Sequence, residues 1–309
     1  MDKPNPVVRL FEKAESRIGY SVLFRETRHF GYSATGRGIA IPLQPSLKEL
    51  EDRLFEILNL PAGSRVLDLG CGAGRVAAHA VERGFEVEGI DLVDHHLDKA
   101  RKYIQKRKMQ DRIRVRKGDF QDLREFRDSS LDGAYSMGTV VHAPNPQQVF
   151  NEVFRVLRPG GRLAMSEYNT ADKSKLSDYV EAFARRRRWY LPAGKMDEGQ
   201  KRQNSEQLLK MWYRFNAVAA MPACDAWEPG VMETQLKQAG FEDVTIRDYT
   251  KNVKPTLRLV FALAYLPYLV ISLLGLKDHF PHVVGAVYAY WGQELWTYVA
   301  VSARKPDLG

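Results

Sequence analysis

The chain has 309 residues, enough for one large α/β domain with insertions or for two domains, so a core is not wanting for length. Hydrophobic residues at 44%, charged residues at 27% and 15 prolines lie near globular averages and exclude disordered, collagenous and coiled-coil chains. Two cysteines, Cys71 and Cys224, leave no room for a disulfide framework or a multi-cysteine zinc site, and a net charge of +8 raises the question of anionic partners.

The N-terminus, MDKPNPVVRLFEKAE, carries charges throughout and no apolar run of signal-peptide length, so a cytoplasmic location is expected. Ser46-Leu-Lys-Glu49 reads as a capping box ahead of Leu50, Leu54, Ile57 and Leu58, predicting a helix that runs into the turn at Pro61-Ala-Gly63. A strand follows at Arg65 to Leu69, then a glycine loop from Gly70 to Gly74, then a helix from Val76 to the stop at Gly84. Glu86 to Ile90 is a second strand ending at Asp91, and Asp94 opens a helix to about Met109. Strand, helix, strand in that order requires a parallel sheet.

Residues 99–118 hold ten basic residues, among them Lys99, Arg107, Arg112 and Arg116, against the single acid Asp111. Such a run reads either as a solvated face or as a surface for an anionic lipid or substrate. Arg185 to Arg188, beside Trp189 and Tyr190, form a second one. Further strands are expected near 112–116, at 131–137 and at 162–168, with a helix between the last two opened by Asn145-Pro146, an N-cap followed by proline at the first helical position. Val231 to Ala239 reads as a helix stopped by Gly240, followed by strands at 244–249 and 295–303. The expected fold class is therefore α/β: a seven-stranded, mostly parallel sheet with helices on both faces, plus helical insertions. This divides the chain into 1–44, a core at 45–170, a helical insertion at 171–228, core again at 229–250, an apolar insertion at 251–292, and a final strand and tail at 293–309.

Chemistry concentrates in Val66-Leu-Asp-Leu-Gly-Cys-Gly-Ala-Gly-Arg75. Glycines at 70, 72 and 74 let backbone pass close under a ligand at the carboxyl ends of parallel strands. Arg75 stands where a nicotinamide fingerprint needs its last glycine, which argues against that cofactor. Asp91, at the end of the next strand, suits a ribose diol, and Asp119 follows the third strand. Each aspartate alone could be an ordinary turn or cap.

Together these residues resemble the class I methyltransferases that use S-adenosylmethionine, a match good over 45–170. The resemblance implies a Rossmann-like fold and S-adenosylmethionine as cofactor, with S-adenosylhomocysteine as its product. It implies that Asp68 supports the loop and the methionine ammonium, and that Gly70, Cys71, Gly72 and Gly74 border the cofactor. Asp91 and Leu92 would hold the ribose, Asp119 and Phe120 the adenine, and Met137 and Gly138 would line the methionine part. Val141-His-Ala-Pro144, Phe154-Arg-Val-Leu-Arg-Pro-Gly-Gly161 and Glu167-Tyr168 are similar to strings of the sterol 24-C-methyltransferase group and its fungal small-molecule relatives. In that group an acidic residue stands four positions before the histidine; here the position is Gly138, so a sterol-type carbocation lacks its countercharge.

His142 is the candidate proton acceptor, or alternatively a histidine that orders its loop. Glu167 is the carboxylate to consider if an alkene is methylated. Tyr20, His29, Phe30 and Tyr32 lie in the segment that in similar enzymes closes over the cofactor, and they read either as lid or as core. His95 and His96, at a helix start, read as capping or surface residues, and no metal site emerges. Leu259 to Leu276 is an uncharged stretch of 18 residues broken by Pro267. It reads as a hairpin roofing a lipophilic pocket, as a peripheral membrane contact through 257–276, or as a span.

The expected function is methyl transfer to N, O or C of a lipophilic small molecule of isoprenoid, polyketide or alkaloid type. Two alternatives stay open: a protein using S-adenosylmethionine as a fixed cation for pericyclic catalysis or binding without methyl transfer, and a nucleic-acid methyltransferase. No nucleic acid is expected as partner, since the Asn/Asp-Pro-Pro-aromatic motif of the amino-group enzymes is missing.

Overall fold

The structure is a computed structural model that describes residues 5–13, 24–187 and 197–307. Seven strands form one sheet: β1 (Arg65–Leu69), β2 (Glu86–Asp91), β3 (Ile113–Lys117), β4 (Leu131–Met137), β5 (Leu157–Thr170), β6 (Glu242–Asp248) and β7 (Trp296–Arg304), in the order β3-β2-β1-β4-β5-β7-β6. The first five are parallel, and β7 runs antiparallel to both β5 and β6. The expected fold class is the observed one. β1 and β4 are the neighbours at which strand order reverses, so a crevice opens beyond their carboxyl ends.

The helices among the described residues are α1 (Pro6–Glu12), α2 (Leu43–Leu58), α3 (Arg75–Glu82), α4 (Asp94–Lys106), α5 (Pro146–Val156), α6 (Leu176–Arg187), α7 (Glu198–Val218), α8 (Pro222–Ala226), α9 (Val231–Gln238), α10 (Thr250–Leu273) and α11 (Pro281–Trp291). Amphipathic patterning places them. Leu47, Leu50, Leu54 and Leu58 of α2, and Val149, Phe150, Val153 and Val156 of α5, are buried against the sheet. Asn145 caps α5 by accepting from the backbone N–H of Gln148.

Three local expectations need correction. Ser46 is no N-cap: α2 starts at Leu43, because Pro45 is tolerated in a first turn whose N–H groups are orphans anyway, and the Ser46 hydroxyl donates back to the Leu43 carbonyl. β5 begins at Leu157, so Pro159-Gly-Gly161 lies inside the strand, beside a register shift between Leu131 and Gly133. α10 continues through Pro255 and Pro267, so Pro267 does not end it.

α10 and α11 lie against one another through stacked rings, Phe261 on Tyr290 with centroids 4.0 Å apart and Tyr268 edge-on to Trp291 at 5.4 Å. By length and composition alone α10 could cross a membrane, and 28% of its most apolar window is buried. In the basic run, Lys99 pairs with Glu26, Arg101 with Asp98, Arg107 with Glu82, Arg116 with Glu88 and Lys117 with Asp94. Much of that charge is therefore neutralised within the fold. Trp189 and Tyr190 lie outside the described residues.

Candidate active site

The loop after β1 is shaped by its glycines. Gly70 has φ +82° and sits where a Cβ would lie 2.5 Å from Thr139, so no other residue fits. The N–H groups of Gly70 and Cys71 both donate to the Ile90 carbonyl at 2.9 Å, tying the loop to the end of β2. A Cβ at Gly72, φ +51°, would meet no atom within 4 Å, because that position faces open space above the sheet.

Asp91 closes the other side. Its Oδ2 accepts from the Gly72 N–H at 2.9 Å, and its Oδ1 accepts from the Val93 N–H at 2.9 Å and from His96 Nδ1 at 3.2 Å. Burial alone would raise its pKa, but the His96 bond and charge and these backbone donors hold it below the usual value, so it is ionised. His96 is 3% exposed, which corrects the capping or surface reading: its ring reaches back five residues, and burial lowers its pKa against the pull of Asp91. With Nδ1 donating to Asp91, its Nε2 is a buried acceptor on the cavity wall.

Asp68 lies beneath the loop and accepts from the Tyr135 hydroxyl at 3.0 Å. Burial pushes it up to about 7, with the Tyr135 bond opposing and the Asp91 and Glu51 charges adding. Asp119 accepts from the Gln121 N–H at 2.8 Å, and Phe120 is buried beside it.

After β4 the chain turns through Gly138, φ +69°, into the short 3-10 turn Val140–His142. Glu167 holds that turn. Its Oε1 accepts from the Ser136 hydroxyl at 2.7 Å and from the N–H groups of Thr139 and Val140 at 3.0 Å each, and its Oε2 from Val141 at 3.4 Å. All of this happens in a fully buried place, where burial raises its pKa to about 7 against those four donors. Glu167 is therefore the anchor of the loop, not a residue on the cavity wall, and the expectation of a substrate contact is corrected. Its neighbour Tyr168 lines the cavity. His142 Nδ1 lies 2.7 Å from the Ala220 carbonyl, which can only accept, so the proton sits on Nδ1 and Nε2 carries a lone pair. Burial lowers the His142 pKa, keeping the ring neutral.

One cavity of about 800 Å³ joins these parts. Asp68, Gly70, Cys71, Gly72, Asp91, Leu92, Asp119, Phe120, Met137, Gly138 and His142 all line it, as do His29 and Phe30. Gly74, which starts α3 with φ +76° against Ala100, is absent from the wall. Tyr32 is also elsewhere: its ring meets Tyr249 edge-on at 5.1 Å and the Arg53 guanidinium at 5.3 Å. His29 bonds Glu51 of α2 at 3.1 Å and Phe30 stacks on Trp296 of β7, so the N-terminal segment is fastened to both helix and sheet. Tyr20 lies outside the described residues.

The stretch read as a hairpin roofing a pocket does form part of a roof: α10 supplies Leu257, Val260 and Leu263, while α7 adds Tyr213 and Phe215 and α11 adds His282 and Ala286, side chains the sequence had not singled out. From α1, the Phe11 ring sits 5.4 Å from His96, 5.7 Å from His142 and 6.3 Å from His282, with the Arg28 guanidinium 4.7 Å from its centroid. Only the N-cap at Asn5 followed by Pro6 signalled that helix.

The "Methyltransferase domain" family model matches residues 67–165. An S-adenosyl-L-methionine-dependent Diels-Alderase of Talaromyces variabilis is 35% identical over 297 residues, 96% of this chain and 93% of that protein. Another from Neonectria sp. (strain DH2) is 31% identical over 78% of this chain and 85% of its own. A sterol 24-C-methyltransferase of Aspergillus fumigatus is 32% identical over 47% of this chain and 37% of its own. Among solved structures, the 4+2 cyclase SpnF superposes with TM-score 0.65 at 20% identity over 96% of this chain and 97% of that one. Geranyl diphosphate C-methyltransferase from Streptomyces coelicolor A3(2) superposes with TM-score 0.66 at 16% identity over 99% and 100%. Both structural likenesses speak to fold.

Proposed function

The chain belongs to the S-adenosylmethionine-dependent methyltransferase family, and from that membership we propose that it uses the cofactor for pericyclic catalysis, closing a ring in a lipophilic polyene by a Diels-Alder-type cycloaddition. One observation carries the reading. Similarity to the Talaromyces Diels-Alderase covers 96% of this chain, the helices that roof the cavity included, and similarity to the Neonectria one covers 78%, whereas similarity to the sterol enzyme spans about half of this chain. Roof residues meet the substrate, so they bear on the reaction more than the cofactor loop does.

The residues present fit the cofactor. A loop open above Gly72, an ionised carboxylate at Asp91, a buried acid at Asp68 and the Phe120 ring together supply places for a ribose, an ammonium and an adenine. When bound there, S-adenosylmethionine supplies a permanent sulfonium charge and, in the methyl-transfer reading, an electrophilic methyl group.

The cycloaddition forms two carbon–carbon σ bonds while three π bonds become one. No atom is gained or lost, so no acid, base or leaving group is required. The chain's part is to fold the diene and dienophile together within apolar walls and to exclude water. His142 Nε2 accepts from a hydroxyl or enol and fixes the substrate's orientation. Gly138 offers no carboxylate at the position four residues before His142, and Glu167 spends its oxygens on the loop, which speaks against a sterol-type methylated carbocation.

Methyl transfer to N or O remains the second reading, favoured by the complete cofactor loop and by the His142 lone pair as proton acceptor. Incubation with isotopically labelled S-adenosylmethionine and a lipophilic extract of the source cells separates the two. The proposal expects a product isomeric with its substrate, unlabelled, with cofactor unconsumed. Labelled product together with S-adenosylhomocysteine overturns it in favour of transfer.

A further inference from the structure

We propose that the outer face of α10 is a docking surface for anionic lipid, seating the helix in the plane of a membrane surface beside the mouth of the cavity.

The exposed large hydrophobic side chains among the described residues gather on one strip. Leu263, Leu266, Val270 and Leu273, spaced three and four residues apart, share a face of α10, with Leu266 71% and Leu273 88% exposed. Ile39 and Ile41 extend the strip, since their loop is bonded to α10 through the Ala40 N–H and the Pro255 carbonyl. A continuous apolar face of this kind marks an interaction site.

The opposite face settles how the helix lies. Tyr268 and Ile271 are buried, Phe261 is stacked on α11, and α11 leads straight back to β7, which lies between β5 and β6 in the sheet. A spanning orientation would tear these contacts apart. An in-plane orientation keeps them and covers the leucines.

Charge selects the occupant. Arg258 stands at the inner end of the strip, donating to the Gly36 and Gly38 carbonyls, with Lys254 one turn away, whose pKa is lowered first by burial and then by the charges of Arg186, itself paired with Glu294, and of Arg258. At the outer end Arg214 pairs with the Asp278 carboxylate, Lys13 donates to the Asp278 backbone carbonyl, and the Lys277 ammonium lies over the Tyr268 ring. In either direction of side-by-side pairing of two copies, one of these basic ends would lie on another; anionic headgroups complement both. Leu263 and Tyr213 are half exposed and also line the cavity, so the strip is continuous with the walls a lipophile would pass.

The test uses the whole chain in flotation with phosphatidylcholine vesicles, with and without phosphatidylserine, and no substrate. The wild type is expected to float with the phosphatidylserine vesicles, and Leu266→Glu/Leu273→Glu to lose about a hundredfold in partitioning while melting like the wild type, since both side chains face solvent. Lys277→Glu is expected to weaken binding to the anionic vesicles selectively. Failure of the wild type to float, or unchanged flotation of the double variant, overturns the proposal. So does light scattering that shows a dimer split by the double variant, which assigns the strip to a second copy. None of these readouts depends on the reaction catalysed.

Discussion

The Nδ1–H of His142 points at the carbonyl of Ala220, 78 residues further along the chain and 2.7 Å away, and this contact decides which nitrogen faces chemistry. With Nδ1 committed, Nε2 can only accept while the ring is neutral, and burial keeps it so. His142→Ala is expected to cut turnover about a hundredfold while cofactor affinity stays within about twofold. Turnover by product chromatography and binding by calorimetry check this; full activity refutes the role. Because the pKa is lowered, the rate should stay flat from neutral pH upward and fall only in acid.

Asp91 joins the loop after β1 to the helix after β2 by accepting from Gly72, Val93 and His96. Asp91→Ala is expected to weaken S-adenosylhomocysteine binding about a hundredfold, because two backbone donors lose their partner along with the charged acceptor. An unchanged dissociation constant would remove Asp91 from the site.

Asp68, raised to about 7, must ionise to receive an ammonium group. Cofactor affinity should therefore rise with pH, by about fivefold to tenfold between pH 6 and 7.5, with proton release on binding. Calorimetry of S-adenosylhomocysteine in two buffers of different ionisation enthalpy measures both. Asp68→Asn should abolish the slope.

Glu167→Gln keeps one carbonyl oxygen but turns an amide N–H₂ toward backbone N–H groups that need acceptors. The expected cost is about 2 kcal/mol of unfolding free energy, with a loosened His142 loop. Urea denaturation reads the first effect, and a fall in turnover larger than the fall in cofactor affinity reads the second.

Glu51 bridges His29 at 3.1 Å and His79 at 2.6 Å. Burial would raise its pKa, yet the two histidine bonds bring it down to about 2 from 4.5. A depressed folded value means that the stabilisation is complete above pH 4.5 and is lost as pH falls toward 2, about 3 kcal/mol in all. Urea midpoints at pH 5 and pH 3 should differ much less in Glu51→Gln than in the wild type.

What was legible in the sequence was dictated by the backbone. Gly70 and Gly72 announce positive φ and close approach, Asp91 ends its strand five residues before His96, and the helix and strand periods order the sheet. Contacts between distant segments were not legible. Phe11 meeting His282 has no local signal, and neither does Tyr32 turning toward Tyr249. Glu167 and Tyr168 show how close such a reading can come: successive strand residues face opposite ways, and nothing in their neighbours says which of the two faces the cavity.

Pro267 has no N–H, so the Leu263 carbonyl cannot take its helical donor, at the point where α10 passes the rim of the cavity. The two halves of α10 thus share one ladder bond fewer, and the rings of Phe261 and Tyr268 against α11 support the helix on either side of the gap. Amide exchange should step up at the Leu263 turn, between an inner half tied by the Arg258 bonds to Gly36 and Gly38 and an outer half held by Tyr268 against Tyr288 and Trp291.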